Sequence, residues 1–261
     1  MGRLQDKICV VTGAASGIGA KTAELWSAEG AKVVMLDIRL EPLEKEAEKI
    51  RKAGGEVSVF EADISSAESC NQVVDKILSV YGRIDVLANI AGILDMGMRP
   101  IDALLDSDLE KVINVNLKGT MYLTRAVTKV FEKQGTGNVI MLASVAGITG
   151  NGSAAYSASK GAIIALTKNI ALRFANRKPL IRANCLCPGT VWTPMTKKAS
   201  GAKSEYCPEA KELMDSIQAH TSLKSGICMP EDVANTLLFL ASEDSRCMTG
   251  QIITLDCGAN L

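Results

Sequence analysis

The chain has 261 residues, enough for one large α/β unit, and its 29 Lys and Arg balance 29 Asp and Glu. That balance, with no apolar run long enough to cross a bilayer, argues against nucleic-acid and membrane partners. Eight cysteines (Cys9, Cys70, Cys185, Cys187, Cys207, Cys228, Cys247, Cys257) show no C-x-x-C spacing, and the single histidine, His220, lies in a polar stretch; this sets aside a disulfide framework, a metal centre and a Ser-His-Asp triad. Residues 1–6 lack the basic and apolar regions of a signal peptide, so reduced thiols and a cytoplasmic location are expected.

Short β-rich runs alternate with helical patterns, as in a parallel sheet with helices on both faces. Residues 8–11 form a continuous apolar run, expected of a strand buried on both sides, and lead through a glycine turn into a helix ending near Gly30. Residues 32–37 are the second strand, and Pro42 suits the first turn of a helix reaching about Gly54. A third strand over 57–61 precedes a helix from about Ala67 to Tyr81, and a fourth strand covers 85–89. Asp106-Ser107-Asp108 is expected to cap one long helix reaching about Lys133, followed by a fifth strand over 138–143. Ile163, Ile164, Leu166, Ile170 and Phe174 recur at helical spacing, unbroken until Pro179. A sixth strand covers 181–187, Pro230 opens a last helix to about Ser242, and 251–255 is the seventh strand. No repeat, low-complexity tract or linker divides the chain, so a single domain over 1–261 is expected.

The turn Thr12-Gly13-Ala14-Ala15-Ser16-Gly17-Ile18-Gly19 joins a strand to a helix N-terminus. Bare N–H groups and a positive dipole end suit a pyrophosphate there, although the G-x-x-x-G-x-G spacing also fits a plain tight turn. Asp37, 18 residues past Gly19, is placed to accept hydrogen bonds from an adenosine ribose. A methyltransferase using S-adenosylmethionine would share both features but has no need of the pair Tyr156 and Lys160. Those two lie four apart and so share one side of a helix. A free phenol, with a pKa of about 10, is a poor base at neutral pH; a nearby ammonium lowers that pKa and makes the tyrosine a usable acid or base. Alone, a Y-x-x-x-K match arises by chance in many helices.

Its company here resembles the classical short-chain dehydrogenases/reductases over nearly the whole chain. Thr12 to Gly19 is similar to the family's T-G-x-x-x-G-I-G loop. The resemblance implies a doubly wound Rossmann fold, a seven-stranded parallel sheet with helices on both faces, and NAD held at Gly13, Ser16, Gly17, Ile18, Gly19 and Asp37. Asp63 falls where a family Asp meets the adenine amino group, with the Ile64 backbone beside it. Asn89-Ile90-Ala91-Gly92 is similar to the N-N-A-G motif that lies against the adenosine ribose, with Ile90 replacing the second Asn and leaving only backbone contacts there. Asn116, in its N-x-x-G context, matches the family's catalytic Asn; Ser144, Tyr156 and Lys160 match its Ser and its Y-x-x-x-K pair. Ser144 precedes Tyr156 by 12 positions, one fewer than is commoner in the family, which implies a slightly shortened loop. Pro188, Gly189, Val191, Thr193 and Met195 match the P-G-x-V-x-T-P-M segment beside the nicotinamide.

The resemblance also implies roles. Ser144 donates to the substrate oxygen, Tyr156 carries the proton, and Lys160 bonds the nicotinamide ribose and lowers the Tyr156 pKa. Asn116 holds a water that relays protons, unless its amide serves only to bond a backbone carbonyl, and Thr193 meets the carboxamide. The expected activity is NAD(H)-dependent interconversion of a secondary alcohol and a ketone. A non-catalytic nucleotide-binding regulator would be favoured by loss of Ser144, Tyr156 or Lys160, and all three are present. Ala14, Ala15, Ser16 and Ile38 supply no base beside Asp37, which favours NAD over NADP; Arg39 is the one nearby cation. Residues 195–229, where the family places a substrate lid, include Tyr206, Leu213, Met214, Ile217, Leu223, Ile227 and Met229. They suit a hydroxysteroid-like or other hydrophobic alcohol, with a 3-oxoacyl thioester as the alternative, and most would also serve to pack the lid on the core. Val127, Val130, Ile164, Ile170 and Leu172 are apolar on more than one side of their helices, beyond what one sheet face covers, so a homotetramer is expected.

Overall fold

The computed structural model describes residues 2–177, 181–201, 206–220 and 226–259; Pro179 and Leu223 lie outside them. Seven strands, β1 (Ile8–Thr12), β2 (Lys32–Asp37), β3 (Val57–Glu61), β4 (Val86–Asn89), β5 (Gly137–Leu142), β6 (Ile181–Pro188) and β7 (Ile252–Leu255), form one sheet in the order β3-β2-β1-β4-β5-β6-β7. Every pairing is parallel; Val11, for example, lies opposite Met35 in β2 and Ala88 in β4. All five residues of β1 are buried, which is why that run carries no polar alternation.

Helices cover both faces. Cys9 and Val11 point into one core layer with Ala23 and Trp26 of α1 (Gly17–Ala28), Leu43 and Ile50 of α2 (Leu40–Lys52), and Val233 and Leu237 of α10 (Pro230–Ala241). Ile8 and Val10 point the other way, onto Val73 and Ile77 of α3 (Ala67–Tyr81), Leu123 and Phe131 of α5 (Thr120–Gln134), and Ile163 and Ile170 of α7 (Ala154–Phe174). The two-residue period of each strand thus divides the core into two layers. Strand order reverses between β1 and β4, the place where an open α/β sheet leaves a crevice at its carboxyl ends.

Several expectations are corrected. The long helix from Asp106 is not continuous: α4 (Asp106–Val112) passes through a π segment (Ile113–Gly119) before α5 begins. Leu105 occupies the cap position without a side-chain bond, so Asp106 and Asp108 sit inside the first turn, where their charge faces the positive helix end. The apolar surplus on the central helices is also smaller than the pattern suggests. Val127 and Ile170 are buried, Val130 and Ile164 pack on the core, and of the five named residues only Leu172 is open, at 77% exposure. Strand limits shift by a residue at β1, β4, β5, β6 and β7, and the short helix α6 (Ala146–Thr149) and two 3-10 turns, at Ile101–Ala103 and Glu243–Ser245, were not anticipated.

The segment between β6 and α10 contains α8 (Pro194–Gly201) and α9 (Pro208–His220). Tyr206 and Ala210 are buried, Leu213, Met214 and Ile217 are half-buried, and Ile227 and Met229 are exposed. Among the described residues no helix is long and apolar enough to cross a membrane.

Candidate active site

A cleft of about 650 Å³ opens at the carboxyl ends of the central strands. At one end it is walled by Gly13, Ser16, Gly17, Ile18 and Gly19, with Asp37, Asp63, Ile64, Ala91 and Gly92 beside them. At the other end stand Ser144, Tyr156 and Lys160, closed over by Pro188, Gly189, Val191, Thr193 and Met195. Residues spread over 180 positions of sequence therefore meet in one groove, because each follows a strand that ends there.

The glycine turn has the backbone its residues permit. Gly13 and Gly17 have φ of 68° and 57°, and a Cβ at Gly13 would lie 2.9 Å from Ala91 Cα. Ser16 precedes α1 without a side-chain cap bond, and the first turn of α1 holds no acidic residue, so the positive helix end faces the cleft. This bare cradle fits the pyrophosphate of a dinucleotide. Asp37 is buried; its Oδ2 accepts from Ala15 N at 3.2 Å, and its Oδ1 accepts from Arg39 N at 3.0 Å and Arg39 Nε at 3.2 Å. Arg39 also reaches Ser16 Oγ at 3.3 Å, bridging the acid and the glycine turn at the cleft rim. Asp63 Oδ1 accepts from Ser65 N and Oγ at 2.9 and 2.6 Å, which orders the turn into α3.

Two expected site residues do not reach the cleft. Asn89 stands opposite Met141 in β5, and residues in register share a face; its Nδ2 donates to Thr124 Oγ1 at 3.0 Å and lies 3.4 Å from Met141 sulfur. Its side chain pins α5 to the sheet and points away from the cleft. Thr12, at the end of the neighbouring strand β1, does the ordering of the motif: its Oγ1 accepts from Ile90 N at 2.9 Å and Ala91 N at 3.0 Å. Asn116 is almost wholly buried on the π segment, with Oδ1 accepting from Ile93 N at 2.8 Å and Nδ2 donating to Ile93 O at 2.9 Å and Ser159 Oγ at 3.1 Å. Its amide is consumed in joining the loop after β4 to α7. Gly92 lets these groups converge, since a Cβ there would lie 3.3 Å from Asn116 Oδ1 and 3.4 Å from Lys160 Nζ.

The remaining cluster carries acid–base chemistry. Ser144 Oγ accepts from Ala146 N at 3.2 Å and donates to Pro188 O at 3.5 Å. Lys160 Nζ donates to Leu142 O at 2.7 Å and stands 5.7 Å from the centre of the Tyr156 ring. Burial pushes the Tyr156 phenol up to about 12, against the opposing pull of the Ser144 hydroxyl. Burial likewise brings Lys160 down to about 8. The expected lowering of the Tyr156 pKa is thus not what burial gives here, and Lys160 Nζ spends its bond on the Leu142 carbonyl. Thr193 shares a hydroxyl bond with Thr196 at 3.2 Å and accepts from its N–H at 3.3 Å, so it starts α8 as well as lining the cleft. Arg39 also lines it, as do Ile93, Lys111, Thr196 and Lys198, which carry no motif that would have marked them in the sequence.

Residues 13–260 match the family described as Enoyl-(Acyl carrier protein) reductase. Over 261 residues the chain is 39% identical to a 3-oxoacyl-acyl-carrier-protein reductase of Thermotoga maritima, covering 98% of both chains. Over 263 residues it is 35% identical to a 7alpha-hydroxysteroid dehydrogenase of Bacteroides fragilis, covering 100% of this chain and 97% of that one. The crystal structure of a levodione reductase superposes with a TM-score of 0.87 at 28% identity, covering 98% of each chain. Fold, cleft and full-length similarity agree: the chain belongs to the classical short-chain dehydrogenases/reductases, a family of oxidoreductases that work with a nicotinamide cofactor.

Proposed function

We propose that this oxidoreductase interconverts a secondary alcohol and a ketone, with NAD(H) as its preferred cofactor. The observation that carries the reading is the meeting of Ser144, Tyr156 and Lys160 on one wall of the cleft. Ser144 orients the substrate oxygen, and Tyr156 gives that oxygen a proton in reduction or takes it in oxidation. A bound nicotinamide supplies or accepts the hydride at the substrate carbon. Lys160 would bond the cofactor's nicotinamide ribose, Gly13, Ser16, Gly17, Ile18 and Gly19 would hold its pyrophosphate, and Asp37 would receive the adenosine ribose hydroxyls. Asp63, Ile64, Ala91 and Gly92 border the adenosine, while Pro188, Gly189, Val191, Thr193 and Met195 border the nicotinamide. Asn116 acts by fixing Ile93 and Ser159, while its backbone carbonyl accepts from Thr120 Oγ1 at 2.7 Å.

Cofactor preference turns on Asp37. A 2′-phosphate about 4 Å from a carboxylate is repelled by about 4 kcal/mol per charge pair at an effective dielectric near 20. Arg39 already pairs with Asp37, at 3.2 Å, and reduces that penalty. The expected outcome is a modest NAD preference in kcat/KM that widens in Arg39→Ala; a tenfold preference for NADP in the wild type would refute the assignment.

The substrate is read as a hydrophobic alcohol of hydroxysteroid type, admitted past a lid over about 195–229. The similarity to a hydroxysteroid dehydrogenase and the apolar cleft residues Ile93, Val191 and Met195 support it. A 3-oxoacyl thioester is the second reading, favoured by Lys111 and Lys198 on the cleft wall, which suit an anionic carrier. A panel of hydroxysteroids, simple alcohols and 3-oxoacyl thioesters, followed by nicotinamide absorbance, separates the two. A cytoplasmic homotetramer is the proposed form.

A further inference from the structure

Asp95 lies in the loop after β4 with 3% of its surface exposed, outside the groups assigned above to substrate and cofactor. A carboxylate at that depth is costly unless it is hydrogen-bonded. Its Oδ1 accepts from the Ser153 hydroxyl and its Oδ2 from Arg99 N at 3.3 Å, while the Arg99 carbonyl accepts from Ala154 N at 3.0 Å. Burial nonetheless holds the Asp95 carboxyl above its usual pKa. Ser153 is the fully buried N-cap of α7, and its Oγ accepts from Tyr156 N at 3.4 Å.

Capping alone does not need a carboxylate, since serine caps helices without one. Asp95 gives the Ser153 proton a fixed destination, which turns the oxygen's lone pairs onto Tyr156 N–H in one rotamer. A matching arrangement holds the other side of the same residue. Ser159 Oγ donates to Tyr156 O at 2.8 Å and accepts from Asn116 Nδ2 at 3.1 Å. Tyr156 is therefore held at N–H and C=O by two serines. Each serine is tied to a buried polar side chain from the β4–β5 connection.

We propose that Asp95 is a positioning residue for Tyr156: through Ser153 it fixes the first turn of α7 and so keeps the phenol beside Ser144. The proposal rests on the reading of Tyr156 as the proton carrier. Its test compares full-length wild type with Asp95→Ala, Asp95→Asn and Ser153→Ala. Amide hydrogen exchange by mass spectrometry reads the clamp without a substrate. Exchange across 154–157 should rise about tenfold or more in both Ala variants and stay within about threefold of wild type in Asp95→Asn, which keeps an acceptor for the serine proton. On the best substrate of the panel, kcat should fall about tenfold or more in the Ala variants, with the cofactor Kd unchanged and most of kcat restored in Asp95→Asn. The double Ala variant should be no slower than the slower single one. Unchanged exchange in Asp95→Ala overturns the proposal, as does raised exchange with unchanged kcat, or an Asn variant as slow as Ala. If Asp95→Ala fails to fold, Ser153→Ala carries the same readouts. A wild type that turns over nothing defeats the alcohol–ketone reading instead, and exchange across 154–157 still decides whether the clamp exists.

Discussion

Tyr156 and Lys160 sit with their pKa values displaced to about 12 and about 8, both by burial and both toward the neutral form. Tyr156→Phe leaves the ring packing intact and removes only the proton, so fold and cofactor Kd should persist while kcat falls by about 10² or more; a Phe variant with most of the wild-type kcat would sink the assignment. Lys160 makes a further prediction through linkage. Its folded pKa is depressed from 10.5 to about 8, so the unfolded chain binds more protons between those values and stability gained from this group rises with pH across that window. Relative to Lys160→Met, the wild type should gain about 2 kcal/mol between pH 8 and pH 9.5 in urea unfolding. A pH-independent difference would show that Lys160 is not desolvated. Ser144, Tyr156 and Lys160 were legible because their types and spacing are tied to the chemistry. The side-chain direction of Asn89 was not legible, because the motif says nothing of which face of β4 it takes, and that is settled by Met141 and Thr124, far away in sequence.

At the scale of elements, strands and helices followed from periodicity, and the failure was local. Ile113, Val115 and Leu117 continue an apolar pattern through the π segment, so nothing local marks the break. The wider turn goes with Asn116 bonding both backbone groups of Ile93, 23 positions away, a long-range cause that a windowed reading does not contain. The α6–α7 pair makes its own demand. A Cβ at Gly147 would lie 2.5 Å from the Lys160 carbonyl carbon and 2.6 Å from Gly161 N, backbone atoms that cannot rotate aside. Gly147→Ala should therefore push α6 off α7, cost about 1–3 kcal/mol in thermal unfolding and lower kcat by displacing Ser144 from Tyr156. Gly201→Ala, with nothing within 4 Å of its Cβ and an ordinary φ, is the control and should change stability by less than about 0.5 kcal/mol. Equal effects from both substitutions would remove the close approach as the explanation.

For the whole molecule, the alternation of strand and helix carried the parallel sheet, its two covered faces and the crevice at the β1/β4 reversal. The outer surface was harder to read, because an apolar residue near the core and one on an open face look alike in a sequence. Val127 and Ile170 proved to be core, yet an apolar groove of about 410 Å³ remains between α5 and α7, floored by Met121, Tyr122, Leu166 and Ile170. Met121 is 45% exposed there, and Arg125 on the rim stacks over the Tyr122 ring at 5.5 Å, which draws part of its charge out of the way of a second copy. At one edge of the sheet, β7 presents a short strand with Ile252, Ile253 and Leu255 only half-buried, a second surface suited to a twofold contact. Two such surfaces per chain close a set of four with twofold symmetry. Light scattering should give about four times the 27.7 kDa chain mass at micromolar concentration. Met121→Arg places a third cation beside Lys118 and Arg125 in the groove and should halve that mass, because the contact through β7 is left in place. A wild type that scatters as a monomer, or a Met121→Arg variant still at four chains, would remove this groove from the assembly.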